Sequence, residues 1–335
     1  MLIKKLTDAC GLPGYEKEVR DIIKAELEGH VDALYTDRLG NLIAEKNKNA
    51  PGCHIALSAH MDEVGLCIKS VDDNGYLKFA SWGVDARTLV AKTVYVGKDK
   101  TPGVIGSAPI HLLPSDMRKT NTKVKSMYID IGAKKKEEAE KYAGPGDFAA
   151  FANEYMEFGE HKVKAKALDD RVGCCAIIEV LKSDIPHKIT GVFCVQEEIG
   201  ARGSAVAANQ IDAGLVITIE GTICADTECD EDLRPVTELG LGPAISLADM
   251  GSLYLKEYVD SIVECAKNMG IPYQYRRTGA GGTDARSFHQ AKGGTPCIGL
   301  SVPCRYIHSP VSVMDMRDYN NLLALVKGYV QRVKS

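Results

Sequence analysis

Apolar and polar positions change period several times along this chain. Near its start, Val19, Ile22, Ile23 and Leu27 recur at helical spacing among charged residues, after the turn Gly11-Leu12-Pro13-Gly14. That pattern predicts an early amphipathic helix. Four later segments obey a different rule. Ile55-Ala56-Leu57, Val192-Phe193-Cys194-Val195, Leu215-Val216-Ile217-Thr218-Ile219 and Ile298-Gly299-Leu300-Ser301-Val302 are short, nearly unbroken apolar runs bounded by turn residues. Lacking alternation, they predict strands buried on both faces. Helical patterns lie between or after them, from Val172 to Leu181, from about Leu253 to Met269 and from about Asp315 to Val333. Strands alternating with helices predict an α/β sheet covered on both sides.

The stretch 65–158 breaks this rhythm. It holds short strand-like pieces, such as Thr93-Val94-Tyr95-Val96 and Met127-Tyr128-Ile129-Asp130-Ile131, punctuated by Gly, Pro and Lys-Asp turns. It reads as a small β-rich domain inserted into an α/β domain made of 1–64 and 159–335. Within it, Lys134, Lys135 and Lys136 are followed at once by Glu137, Glu138 and Glu140, which describes a solvated helix face.

Composition narrows the class. A net charge of −4 leaves no basic excess to attract nucleic acid. No apolar run approaches the roughly 18 residues of a membrane span, and residues 1–30 hold no apolar signal core. Eleven cysteines without such a signal and without paired C-x-x-C knuckles point to a reducing cytoplasm. Cys174, Cys175 and Cys194 sit in apolar segments and read as core residues.

The chemistry gathers where the apolar runs end. Ile55 to Ala59 leads into His60-Met61-Asp62, and Val192 to Gln196 into Glu197-Glu198. Glu220 follows Ile219, and His308 comes shortly after Val302. Ligands of open α/β sheets bind outside the carboxyl ends of the strands. Four segments therefore deliver His or carboxylate groups to one edge, and Asp169-Asp170, just before the Val172 helix, can join them. Two glutamates continuing a buried strand are costly unless cations or protons compensate, and two divalent ions would do so. Two His with several carboxylates suit zinc, cobalt or manganese better than calcium or magnesium. His60 and Asp62, two apart on an extended chain, share a face, and such a carboxylate can hold the second ring N–H of a ligating His.

These residues resemble a known family. Ser58-Ala59-His60-Met61-Asp62-Glu63-Val64-Gly65, Ala167-Leu168-Asp169-Asp170-Arg171, Gln196 to Gly203, Gly281-Gly282-Thr283-Asp284-Ala285, His308-Ser309-Pro310 and the opening Gly11 to Glu16 are similar to family forty-two of the metallopeptidases. That family comprises tetrahedral, deblocking and glutamyl aminopeptidases and endoglucanase-like relatives. The resemblance implies a mixed sheet sandwiched by helices, as in zinc exopeptidases, with an inserted β-rich domain used in oligomerisation, often as a dodecamer. It implies that His60 and Glu220 hold one metal, Glu198 and His308 the other, and that Asp169 bridges both, with a cis peptide to Asp170. Glu197 would be the general base, and Asp62 would orient His60. At Glu220 the family's aminopeptidases more often carry Asp, one methylene shorter.

The implied activity is removal of the N-terminal residue from short peptides. Two metals about 3.5–4 Å apart would acidify a shared water, and Glu197 would relay its proton to the leaving amine. The competing readings are a related dinuclear deacylase or carboxypeptidase-like enzyme, a glycosidase using paired carboxylates, and a shell-forming scaffold with a vestigial site. Three further residues carry structural expectations. Asp284 reads as a helix cap or first-turn charge, with a substrate-side role as the alternative. His289 reads as structural, and Arg305 as a surface or interface arginine that could instead meet an acidic substrate side chain.

Overall fold

The computed structural model describes residues 1–227, 236–277 and 281–332; Val333, the expected end of the last helix, lies outside them. The chain forms two units. One comprises Met1–Asp62, Tyr155–Ile307 and Ser312–Ser335, the other Glu63–Glu154 and His308–Val311.

The first unit begins with helices α1 (Leu2–Asp8) and α2 (Lys17–Leu27) and strands β1 (Ala33–Thr36), β2 (Leu42–Lys46) and β3 (Ile55–His60). The second unit follows, with β4 (Gly65–Val71), β5 (Leu77–Trp82), β6 (Thr93–Val96), β7 (Thr101–Gly106), β8 (Tyr128–Asp130), the single-turn α3 (Lys136–Ala139) and β9 (Phe148–Phe151). The chain then returns through β10 (Met156–Phe158), β11 (Lys162–Ala165), α4 (Leu168–Leu181), β12 (Ile189–Cys194), α5 (Arg202–Ala208) and β13 (Leu215–Cys224). It finishes with β14 (Ala244–Ile245), α6 (Lys256–Met269), β15 (Gln274–Tyr275), α7 (Ala285–Gln290), β16 (Cys297–Arg305), β17 (Ser312–Asp315) and α8 (Met316–Arg332).

In the first unit the sheet order is β1-β2-β12-β3-β13-β16-β17-β11-β10, with β14 paired to β16 and β15. The four central strands β12, β3, β13 and β16 are parallel, while the flanking pairings to β2 and β17 are antiparallel. The mixed sheet expected from the sequence is therefore present. Every residue of β3 and β12 is buried, which is why their sequences are apolar without alternation.

Helix α4 explains itself in the same way. It is apolar around most of its circumference because it is enclosed by β3 and β13 on one side and by α1, α2 and α8 elsewhere. Helices α5 and α7 pack on each other and against β12, β13 and β16.

In the second unit, strands close as β4-β5-β8-β7-β6-β9, and β9 pairs back to β4. Alternating burial along β6 fills the barrel with Val94 and Val96. The division differs slightly from the expected 65–158. Strand β10 pairs with β11 and so belongs to the first unit, whereas Glu63, Val64 and His308–Val311 group with the second. No disulfide joins any of the ten described cysteines. No helix among the described residues is long and apolar enough to cross a membrane.

Candidate active site

Strand register brings the site together. Cys194 at the end of β12 lies opposite His60 at the end of β3. On the other side of β3, Thr218 of β13 lies opposite Ser58. Two more residues along each strand bring Glu220 level with His60. Glu220 was expected just after its strand, but β13 runs on to Cys224, so the carboxylate projects from within it. Its Oε2 is 3.6 Å from His60 Nε2.

Asp169 arrives from the entry of α4. Ala167 before it is left-handed (φ +52°), Asp169 and Asp170 have non-helical dihedrals, and the peptide between them is cis, as the resemblance implied. Asp169 Oδ1 lies 3.4 Å from His60 Nε2 and accepts the Gly221 N–H at 3.2 Å. Only glycine fits at 221, since a Cβ there would lie 2.8 Å from that of Asp169.

His60 is fully enclosed, and its tautomer follows from its partners. Nδ1 faces the main-chain oxygen of Asp62 at 3.0 Å, which can only accept, so the proton sits on Nδ1. The bare Nε2 then points at two carboxylates. A lone pair facing two anions is repulsive unless a cation lies among them, so the donor set fits a divalent metal ion. Ligand atoms of His60, Asp169 and Glu198 lie within 4.8 Å of one another, as do those of His60, Asp170 and Glu220. Asp170 is otherwise engaged: Oδ2 accepts the His60 main-chain N–H at 3.2 Å and Oδ1 accepts that of Gly173 at 2.9 Å. It braces the end of β3.

Asp62 does more than the sequence suggested. Its carboxylate is 3.6 Å from His60 Nδ1, so its backbone oxygen makes the closer contact to the ring. The carboxylate oxygens instead accept the N–H groups of Glu197 at 2.9 Å and Glu198 at 3.0 Å. One residue thus orients the histidine and anchors both glutamates.

The accumulated negative charge is costly. Burial, together with neighbouring carboxylates, pushes the Glu197 and Glu220 carboxyls well above the usual range. Burial opposes the charge on His60, yet Asp169 and Asp62 outweigh it and raise its pKa well above the ordinary value, so Nε2 takes up a proton wherever a metal ion does not occupy its lone pair.

Asp284 does not cap α7, for its side chain makes no cap hydrogen bond. It is fully buried; Ser204 and Cys194 are beside it, but neither carboxylate oxygen has a hydrogen-bond partner of normal geometry. Its backbone N–H reaches Glu220 Oε1 at 3.5 Å. Arg305 grips Asp226 with Nε at 2.6 Å and Nη2 at 2.9 Å, so it has an internal partner. His289 makes an edge contact with Tyr254. His308 belongs to the second unit, where it is exposed and its Nδ1 donates to Gly83 O at 2.9 Å.

A histidine and carboxylates at the carboxyl edge of parallel strands fit a divalent-metal centre of the kind that metal-dependent hydrolases use. Comparison with known proteins gives the family: residues 40–325 match the M42 glutamyl aminopeptidase model, and the chain belongs to that family of metallo-aminopeptidases. It is 33% identical to the lysyl aminopeptidase of Pyrococcus furiosus over 343 residues, covering 99% of this chain and 97% of that one. Among solved structures it is similar to aminopeptidase APDkam598 of Desulfurococcus kamchatkensis, with 34% identity, a TM-score of 0.93 and coverage of 99% and 94%. It also resembles the TET1 peptidase of Pyrococcus horikoshii, with 33% identity, a TM-score of 0.87 and coverage of 99% and 98%. That peptidase is described as assembling into a tetrahedron or a large octahedral shell.

Proposed function

We propose that this chain removes the N-terminal residue of short peptides at a dinuclear metal site. His60 and Glu220 would hold one ion, Glu198 and His308 the other, with Asp169 shared between them. Zinc or cobalt suits this set best, and manganese also matches its donors. His308 enters on its sequence motif. The observation that most supports the reading is His60 Nε2 facing Asp169 and Glu220 while Nδ1 is committed to Asp62.

Bound there, the ions supply Lewis acidity, polarising the scissile carbonyl and acidifying water. Glu197 then accepts the proton of the attacking water and returns it to the leaving nitrogen. Asp62 keeps that carboxylate in place through the Glu197 N–H. Metal titration into chelated protein, followed by assay on free aminoacyl and N-acylated substrates, tests the reading. Two ions per chain and activity confined to free amino termini are expected. One ion or fewer refutes the dinuclear site, and preference for acylated substrates makes the enzyme a deacylase.

By analogy with the shell-forming peptidase, we propose a homo-oligomer, with a dodecamer as the expected assembly, built through the β-barrel unit; its cysteine usage supports a cytoplasmic setting. Exposed Ile110 and Leu112 on that unit support the idea. Replacing 65–158 with a short linker should dissolve the assembly in light scattering. An unchanged large mass would eliminate this role.

A further inference from the structure

Strand β12 ends at Cys194, yet the residues beyond it are fully engaged. The carbonyls of Val195, Gln196 and Glu197 accept N–H groups from Gly203, Arg202 and Gly200 in the following turn. The four N–H groups from Val195 to Glu198 find acceptors outside β12. Each is taken by a side chain from another segment. Val195 donates to Asn41 Oδ1 at 3.0 Å, Gln196 to Glu16 Oε1 at 3.2 Å, and Glu197 and Glu198 to the two oxygens of Asp62. A segment that carries two functional glutamates is therefore shaped by three acceptors supplied from outside the strand.

Gln196 is the bend in this segment. It is left-handed, with φ +56°, a conformation that costs a non-glycine residue free energy unless its surroundings impose it. Its N–H is the one held by Glu16. Glu16 stands at the N-cap of α2 but makes no side-chain cap there. Its carboxylate, in a residue only 3% exposed, instead accepts from Gly14 at 2.7 Å and from Gln196 with the same oxygen. The Gly14 contact closes the turn that begins at Gly11 and aims the side chain. The segment Gly11 to Glu16, remote in sequence from every proposed ligand, thereby reaches the residue next to Glu197.

We propose that Glu16 is a positioning residue of the peptidase site: by holding the Gln196 peptide in its left-handed turn, it sets the direction in which Glu197 and Glu198 leave β12. This rests on Glu197 as base and Glu198 as ligand. The interaction needs an acceptor oxygen at that reach rather than a charge. An amide preserves it, a thioether of similar volume removes it, and a carboxylate one methylene shorter misplaces it.

The test compares Glu16→Gln, Glu16→Met and Glu16→Asp in the full-length protein with saturating metal. Glu16→Met should lower kcat about 10- to 100-fold through misplacement of the base, with KM within about twofold of the parent. In the same variant, amide hydrogen exchange across 195–198 should speed up, and one of the ions should be lost at lower chelator concentration. Glu16→Asp should give the same split of kcat from KM, and it keeps the test open should Glu16→Met not fold. Glu16→Gln should retain parental kcat, exchange and metal retention.

Parental kcat and exchange in Glu16→Met and Glu16→Asp would overturn the proposal, as would damage in Glu16→Gln equal to that in Glu16→Met. Exchange that speeds up while kcat holds would show a clamp without a catalytic role, and that too overturns it. The reading of Glu197 as base fails separately, when Glu197→Gln keeps full activity.

Discussion

Arg171 is the largest fully buried side chain among the described residues, and replacing it with Met tests how the site is tied to the rest of the fold. Its guanidinium spans two segments. Nε donates to Met61 O at 2.9 Å, Nη1 to Leu6 O at 2.5 Å and to Ala9 O at 3.3 Å, and Nη2 to Gly11 O at 3.4 Å. Gly11 makes room for it, because a Cβ there would lie 2.8 Å from Nη2. Two of these bonds are short. A charge-assisted hydrogen bond contributes about 1.5–3 kcal/mol net, so the pair is worth about 3–6 kcal/mol.

Met recovers most of the packing, and removing the charge relieves part of its desolvation cost. The expected net loss is about 3 kcal/mol. For a unit of this size that lowers the melting midpoint by about 6–12 °C. The measurement is thermal unfolding by circular dichroism on chelated protein, so that metal binding does not mask the change. Met61 lies between His60 and Asp62, so the same variant should also retain metal less well. A midpoint within about 2 °C of the parent would show that desolvation cancels these bonds, and the argument would fail.

Three further outcomes are expected. Glu197→Gln should cut kcat by about 100-fold or more with metal content unchanged; loss of an ion would make Glu197 a ligand. Gly173→Ala places a Cβ 2.5 Å from both carboxylate oxygens of Asp170, which holds the His60 N–H. Metal should then be lost to a weaker chelator challenge, and an unaltered titration would count against that brace. Hydrogen bonds from Lys182 and Lys5 depress Glu26 to about 2 from an ordinary 4.5. A depressed carboxylate stabilises the fold above its unfolded pKa, and that stability disappears as pH falls from about 4.5 through about 2. After discounting for solvent around both lysines, Glu26→Gln should cost about 1 kcal/mol at neutral pH and nothing near pH 2. A difference independent of pH would refute the linkage.

The central strands were legible because enclosure on both faces demands apolar side chains at every position, as in β3 and β12. Short edge elements left no such mark: β14 and β15 are two residues each, and all three residues of β10 are exposed. His60, Glu197, Glu198 and Glu220 could be named as candidates because each lies at or just beyond an apolar run, although β13 continues past Glu220. Asp284 was read as a cap because sequence shows where α7 begins but not where the carboxylate turns. Glu16, Asn41 and Arg171 escaped a role because their work is done on backbone groups far along the chain. A fixed turn such as Gly11 to Glu16, lying far from any chemistry, is the signal that could have drawn attention to them.

The free thiols offer a clock for opening in each unit. Of the described cysteines, only Cys53 and Cys67 are half-buried; the rest are enclosed, and burial pushes the Cys174, Cys175 and Cys194 thiols up and away from the reactive thiolate. Cys67 lies on β4 and is the only described cysteine of the barrel unit. Cys174 donates to the His60 carbonyl at 3.2 Å, so an alkylating reagent reaches it only when the floor beneath the histidine comes apart. Modification at these positions, followed over time by mass spectrometry, would report barrel fraying and loss of the site floor as separate rates within one unlabelled chain.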